Sequence, residues 1–121
     1  MISSVGVDEN GDSYNINADT AAAAIATALK AEKLIYLTDI DGVRRVADDP
    51  TTLIPVMTVE QAHAYIADGT ITGGMIPKVT ACVYAIEKGV CRVHIINGTI
   101  PHPIILEIFT DRGIGTMFEN E

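Results

Sequence analysis

The sequence is poor in cysteine, in aromatic residues and in positive charge, and each shortage excludes a class of protein. Of 121 residues, two are cysteine and none is tryptophan. Two cysteines are too few for a disulfide scaffold and fit a reducing compartment, so we expect a cytoplasmic protein. Lysine and arginine total 8 against 16 acids, a net charge of -8. This balance argues against a nucleic-acid surface, which needs clustered positive charge.

Long apolar runs are also lacking, because no run approaches the ~20 residues of a transmembrane helix. We therefore expect no contact with a membrane. Met1 is followed by polar Ser3, Ser4 and Asp8, so we expect no secretory signal. The hydrophobic content of 48% excludes a disordered chain and suffices for one compact domain.

Alternating strand and helix patterns predict an α/β fold with a mostly parallel sheet and helices on both faces. An Asn-Gly turn predicts a hairpin over residues 2–16, and apolar runs predict buried strands at 33–38 and 91–96. The polar stretch 39–57 is interpreted as a loop or hairpin. Helices are predicted over 18–30, from a Thr58–Gln61 capping box to about 68, after Gly73-Gly74 and over 103–109, with a last strand at 113–117.

The segment from Thr72 to Lys78 is a candidate phosphate site. Gly73 and Gly74 precede a helix, and Lys78 falls in the first turn of that helix. Free amide groups, the helix dipole and an ammonium would then point to one place. The alternative is a flexible connector with a solvated lysine.

Acidic residues mark two further candidates. Asp19 lies where a polar strand end enters an apolar helix, and it could orient a lysine; alternatively it is a favourable first-turn charge. Asp39 and Asp41 follow the apolar strand 33–38, an arrangement resembling the haloacid-dehalogenase phosphatases. In such an enzyme Asp39 would be the nucleophile and Asp41 the general acid, with Mg²⁺ between them and the phosphate.

The histidines have no metal-ligand spacing to the cysteines, so we expect no zinc site. His94 alternates with Val93 and Ile95 along a predicted strand and should face away from them.

Taken in order, the segments resemble the acetylglutamate kinases of the amino-acid kinase family. The matching segments are 15–19 with the alanine-rich helix after it, 37–43, 73–78, 93–98 and 106–116. The resemblance implies a three-layer αβα sandwich of the carbamate kinase-like type. It covers nearly the whole chain but only the C-terminal, ATP-binding half of the family's enzymes. Residues 1–121 would be that domain, without the N-terminal domain that binds acetylglutamate and forms the dimer.

The resemblance also implies residue roles. Lys78 would stabilise charge on the transferring phosphoryl group, Asp19 would hold the catalytic lysines, and Asn15 would contact acetylglutamate. The ATP site would be lined by Thr38, Asp39, Gly73, Gly74 and Met75. The family phosphorylates the side-chain carboxylate of N-acetyl-L-glutamate in arginine biosynthesis, using ATP and the Mg²⁺ carried with it. Because half of the catalytic site is missing, we expect the isolated chain to be inactive.

Regulation is the last implication. His94, Glu107 and Gly113 resemble the arginine-binding positions of feedback-inhibited members, so an arginine-binding regulatory module is an alternative function. Glu107 could equally be a solvated helix residue. The full-length family forms homo-oligomers, and some members bind a PII signalling protein. We also expect an apolar surface around residues 2–16, where the missing half would pack.

Overall fold

The computed structural model describes residues 1–111 and 113–120. Its first part is a small hairpin, and the rest is an α/β unit. The elements in chain order are β1 (Val5–Val7), β2 (Ser13–Asn15), α1 (Ala18–Ala28), β3 (Lys33–Thr38), β4 (Val56–Thr58), α2 (Val59–Ala67), α3 (Met75–Glu87), β5 (Arg92–Asn97), α4 (Pro103–Phe109) and β6 (Thr116–Glu119). No helix of the described residues is long and apolar enough to cross a membrane.

The main sheet has four strands in the order β3-β5-β6-β4. The β3–β5 and β4–β6 pairs are parallel, and the β5–β6 pair is antiparallel. Strands β1 and β2 form a separate antiparallel hairpin whose turn contains Gly11 at φ +87°. The predicted α/β class, the mostly parallel sheet and the hairpin are therefore confirmed.

The two faces of the sheet pack against different helices. On one face Val93, Ile95 and Phe118 are fully buried in the core with residues of α1, α2 and α3. Successive side chains of a strand point to opposite faces. His94 accordingly lies on the other face, where α4 covers the sheet and Glu107 contacts it. Helices therefore cover both faces, as predicted for a three-layer arrangement.

Helices α1 to α4 begin where the sequence predicts. The Asn17 side chain caps α1 by accepting from the Thr20 amide at 3.1 Å. Thr58 and Gln61 form the predicted capping box of α2. Helix α4 spans the predicted 103–109, and α3 begins directly after Gly74.

Two boundary predictions are wrong. The stretch 39–57 contains the hairpin that was one of its two predicted forms, with Arg44 paired antiparallel to Leu53, but its end is wrong because Val56–Thr58 forms β4 beside β6. A three-residue strand is too short to show an alternating pattern. The last strand begins at Thr116 rather than residue 113, because the Ile114 and Gly115 amides donate to the Glu107 carboxylate. Those two amides are therefore not available for hydrogen bonds to a neighbouring strand.

The hairpin region carries an exposed apolar surface, as the sequence predicts. Its members are exposed by 40% to 72% and comprise Ile2, Val5, Val7, Tyr14 and Ile16.

Thr116 anchors the long 39–55 connection to the sheet. Its buried hydroxyl accepts from the Val43 amide at 2.8 Å and donates to the Ile54 carbonyl at 2.7 Å. Gly42 packs so closely on this hydroxyl that an added Cβ would lie 2.5 Å from it. One side chain therefore satisfies two backbone groups of the connection.

Replacing Thr116 by Val keeps the shape but leaves the Val43 amide and the Ile54 carbonyl without their partner. A buried polar group left unsatisfied costs about 1–3 kcal/mol. We expect Thr116→Val to lower the free energy of unfolding by about that amount in urea titrations. Thr116→Ser, which keeps the hydroxyl, should lose clearly less; equal losses for the two variants would contradict the anchoring role.

Candidate functional site

Asp19 and Lys78 meet at the adjacent N-terminal ends of α1 and α3. Lys78 Nζ lies 2.8 Å from Asp19 Oδ2. The Lys78 side chain is 21% exposed and the Asp19 side chain 28%, so the pair is accessible from solvent. Two candidates that are 59 residues apart in sequence thus form one ion pair, which is the contact that an orienting role of Asp19 requires.

Tyr36 of β3 supports this pair from the core side. Its hydroxyl donates to the backbone carbonyl of Asp19 at 2.8 Å. Lys78 Nζ lies 5.7 Å from the centre of its ring, within cation–π range. Burial raises the pKa of Tyr36, with Cys82 and Asp19 adding to the effect, so the hydroxyl stays protonated and remains a donor.

The glycine loop forms the start of α3. Gly73 has φ +58°, a left-handed conformation that favours glycine, and Gly74 is the N-cap residue without a side-chain cap. The sequence predicts free amide groups here, but the Met75 and Ile76 amides are bonded. They donate long hydrogen bonds of 3.3 and 3.2 Å to the Thr72 and Gly73 carbonyls, respectively. The helix dipole and Lys78 therefore supply the positive potential here.

A cavity of about 200 Å³ lies beside this loop. It separates the segment after β3 from the segment before α3. Its lining is mainly apolar and backbone, comprising Ile40, Gly42, Val43, Arg44, Ala47, Thr70, Ile71, Thr72 and Met75. Of the predicted ATP-site residues only Met75 lines it; Asp39 is exposed next to Ile40, and Gly73 and Gly74 are exposed next to Thr72.

Thr38 and Asn15 occupy strand ends. The Thr38 hydroxyl donates to the Ile40 carbonyl at 2.9 Å and accepts from its amide, which closes the turn after β3. Asn15 is exposed at the end of β2, just before the first turn of α1. Thr38 thus holds the turn that contains the cavity residue Ile40, and Asn15 lies four residues before Asp19 in the chain.

Asp41 is engaged by Arg44. The Arg44 Nη2 atom lies 2.7 and 2.8 Å from the two carboxylate oxygens, and Nη1 donates to the Ala47 carbonyl. The hydrogen bonds from Arg44 lower the pKa of Asp41. A carboxyl group held ionised in this way is unsuited to the general-acid role that the phosphatase alternative gives it. No group of three or more metal-ligating side chains occurs within residues 1–111 and 113–120.

His94 and Glu107 form a second cluster on the opposite face of the sheet. His94 Nδ1 lies 2.8 Å from Glu107 Oε1, while Glu107 Oε2 accepts from the Ile114 and Gly115 amides. Gly113, at φ +61°, packs against the same carboxylate. The Glu107 side chain is only 4% exposed, so the alternative of a solvated helix residue is wrong.

This cluster lines a cavity of about 260 Å³. His94 Nε2 is buried and has no hydrogen-bond partner among the residues that the structure describes. Lys33, Arg92 and Asp111 supply further charges at the cavity wall. The three predicted arginine-site residues are therefore close together in one concave region.

Sequence reasoning missed Tyr36 and Arg44. Tyr36 reads as one apolar residue in a buried strand, and nothing in its spacing links it to Asp19. Arg44 had a usable signal, because it follows Asp41 by three residues in a Gly-containing turn.

The fold and the sequence together place this chain in a known family. Residues 1–97 match the amino acid kinase family, and the chain belongs to that family. A carbamate kinase from Giardia lamblia, solved with AMP-PNP, shares this fold with a TM-score of 0.71, 21% identity and coverage of 94% of this chain and 36% of its own. The carbamate kinase-like fold predicted from the resemblance is thereby confirmed.

More similar proteins narrow the comparison. An acetylglutamate kinase of Symbiobacterium thermophilum is 55% identical over 97% of this chain and 40% of its own length. An N-acetylglutamate synthase of Neisseria gonorrhoeae, solved with coenzyme A and N-acetyl-glutamate, is 34% identical with a TM-score of 0.88. The match covers 98% of this chain and 27% of the synthase. The structure of the same synthase with coenzyme A and L-arginine has 33% identity and a TM-score of 0.87. That match covers 99% of this chain and 27% of the synthase. The chain spans well under half of each of these proteins.

The Asp41–Arg44 pair predicts a pH-dependent stability difference. Because the folded-state pKa of Asp41 is below its ordinary value of 3.8, the contribution is present above that value and lost as pH falls through the folded-state pKa. Arg44→Met should lower the free energy of unfolding by about 1 kcal/mol at neutral pH. The difference from wild type should shrink in urea titrations below pH 3.8.

Arg45→Met is the matched control, since Arg45 is an exposed neighbour of equal charge. A pH-independent loss for Arg44→Met, or an equal loss for Arg45→Met, would contradict this account.

Proposed function

We propose that this chain is the ATP-binding half of an N-acetyl-L-glutamate kinase. The full protein would transfer a phosphoryl group from ATP to the side-chain carboxylate of N-acetylglutamate, in arginine biosynthesis. The observation that carries the proposal is the Asp19–Lys78 pair beside the glycine loop that starts α3. The 55% identity to an acetylglutamate kinase supports this choice of substrate within the family.

The chemistry requires charge neutralisation and alignment rather than a covalent intermediate. Lys78 would oppose negative charge on the transferring phosphoryl group, and Asp19 would keep its ammonium in place. The helix dipole at Gly73 and Gly74 adds to the same potential. Mg²⁺ would arrive bound to the triphosphate, where it neutralises phosphate oxygens; no cluster among the described residues offers it a site of its own.

The other substrate residues follow from position. The base and ribose of ATP would occupy the cavity lined by Met75, with Thr38 and Asp39 in the turn that precedes its wall residue Ile40. Asn15 would reach acetylglutamate from the hairpin. Thr38, Asp39 and Asn15 are proposals that rest on the resemblance and on their places at strand ends.

The remaining part of the enzyme would pack against this chain. In this proposal residues 1–121 are the C-terminal nucleotide-binding domain, and an N-terminal domain supplies the acetylglutamate pocket, a second lysine and the oligomer interface. The chain's 40% share of the relative's length and the exposed apolar hairpin surface support this arrangement. Binding to a PII protein stays a prediction from the resemblance.

The proposal predicts that the 121-residue chain binds ATP weakly and through Lys78. Calorimetry with Mg-ATP should show binding by the wild type and at least about tenfold weaker binding by Lys78→Ala, because a charge-assisted contact is lost. Lys88→Ala is the matched control, since Lys88 is an exposed lysine at the opposite end of α3. Equal weakening by both variants would argue against a site at Lys78.

The same protein should not phosphorylate acetylglutamate by itself. A coupled assay on the purified chain should give no product above background. Efficient turnover would refute the view that half of the catalytic site lies elsewhere.

A second function, arginine binding, is favoured by one observation on the other face of the sheet. His94 Nε2 is buried without a partner among the described residues, and His94 and Glu107 both line the same cavity. A carboxylate there suits a guanidinium or an amino group. The N-acetylglutamate synthase solved with L-arginine supports the choice of ligand by similarity.

Calorimetry with L-arginine tests this site. Wild type should release or absorb heat at millimolar L-arginine, and Glu107→Gln should weaken binding at least about tenfold, since it removes the charge. Glu60→Gln changes an exposed acid of α2 and should leave binding unchanged. L-citrulline, which lacks the guanidinium charge, should not bind. An absence of heat with wild type would exclude the site.

A further inference from the structure

Tyr36 contacts both members of the Asp19–Lys78 pair, although neither its sequence position nor the proposed reaction assigns it a role. It lies in the middle of β3 and is 6% exposed. Its side chain belongs to the core packed under α1 and α3. Tyr36 is therefore held by core packing directly beneath the candidate site.

The hydroxyl of Tyr36 acts on Asp19. It donates at 2.8 Å to the Asp19 carbonyl, and Asp19 is the second residue of α1. This bond ties the first turn of α1 to the central part of β3. The direction in which the Asp19 carboxylate leaves the helix is fixed by that turn.

The ring of Tyr36 acts on Lys78. The ammonium lies 5.7 Å from the ring centre on one side and 2.8 Å from Asp19 Oδ2 on another. A cation at this distance is attracted by the ring quadrupole. The two contacts restrict a flexible side chain and leave its solvent-facing side for a ligand.

We infer that Tyr36 is a positioning residue that holds the Asp19–Lys78 pair in the geometry that receives a nucleotide phosphate. The inference rests on the proposed ATP-binding function. Tyr36 would touch no phosphate itself. Its hydroxyl holds the backbone of Asp19 in position, and its ring holds the ammonium of Lys78 in position. The two contributions can be separated, because Tyr36→Phe removes only the hydroxyl and Tyr36→Leu also removes the ring.

Mg-ATP calorimetry on the 121-residue chain tests the hydroxyl. Tyr36→Phe keeps the volume of the core and should bind about three- to tenfold more weakly than wild type, as expected for one lost hydrogen bond. If the hydroxyl acts through Asp19, its removal should have little further effect in the Asp19→Asn background. A merely structural role would give independent, additive losses.

NMR of ¹³C-labelled lysine side chains tests the ring. The Lys78 ε-proton signal should be shifted upfield by the ring current in wild type and in Tyr36→Phe, and should lose that shift in Tyr36→Leu. Tyr84→Leu is the matched control, since Lys88 lies 5.8 Å from the Tyr84 ring at the far end of α3. That variant should change the Lys88 signal alone and leave ATP affinity unchanged.

The outcomes separate the inference from the proposed function. If wild type binds Mg-ATP while Tyr36→Phe binds equally well, or if the losses with Asp19→Asn are additive, the inference fails and the proposed function stands. An unshifted Lys78 signal in wild type also overturns it. If wild type binds no Mg-ATP, the proposed function fails and the inference fails with it.

Discussion

The close packing of α1 on α3 is the constraint on which the candidate site depends. Ala23 and Ala26 of α1 are buried against Val79, Cys82 and other residues of the same core. Small side chains let two helices approach closely, and here the N-termini of both helices end side by side. The Asp19–Lys78 pair, part exposed, adds little to stability by itself. The packing of the two helices therefore determines where Asp19 and Lys78 lie, and their ion pair is a consequence of that packing.

The alternation of side chains along β5 separates two sites on one sheet. Val93 and Ile95 support the α1–α3 side, where Asp19 and Lys78 lie, whereas His94 points to α4 and Glu107. Glu107 is satisfied by His94 and by two backbone amides, which explains how a buried carboxylate is tolerated so near an apolar sheet. The unpartnered His94 Nε2 is the one polar atom of this cluster whose environment the described residues do not complete.

Much of the fold was predictable because its signals are local. The Thr58–Gln61 box, the helix at 103–109 and the alternation at His94 each depend on neighbouring residues, and each was confirmed. Contacts across the chain were not predictable by such reasoning. The Tyr36 hydroxyl meets Asp19 only after α1 packs on β3, and Thr116 meets Val43 across 73 positions. The Asp19–Lys78 meeting was expected from the family resemblance, since each residue in isolation favours a weaker explanation.

Charge gives a physical reason for the weak nucleotide binding that the proposed function predicts. Lys78 is already paired with Asp19, and Arg44, the cation at the cavity wall, is paired with Asp41. The chain as a whole carries a net charge of -8, so its overall field opposes an anion as large as a nucleotide triphosphate. Under the proposed function, the excess positive charge at the phosphates would come from the Mg²⁺ carried with ATP and from outside these residues. An incomplete electrostatic balance of this kind is what one side of a phosphoryl-transfer cleft, taken alone, should have.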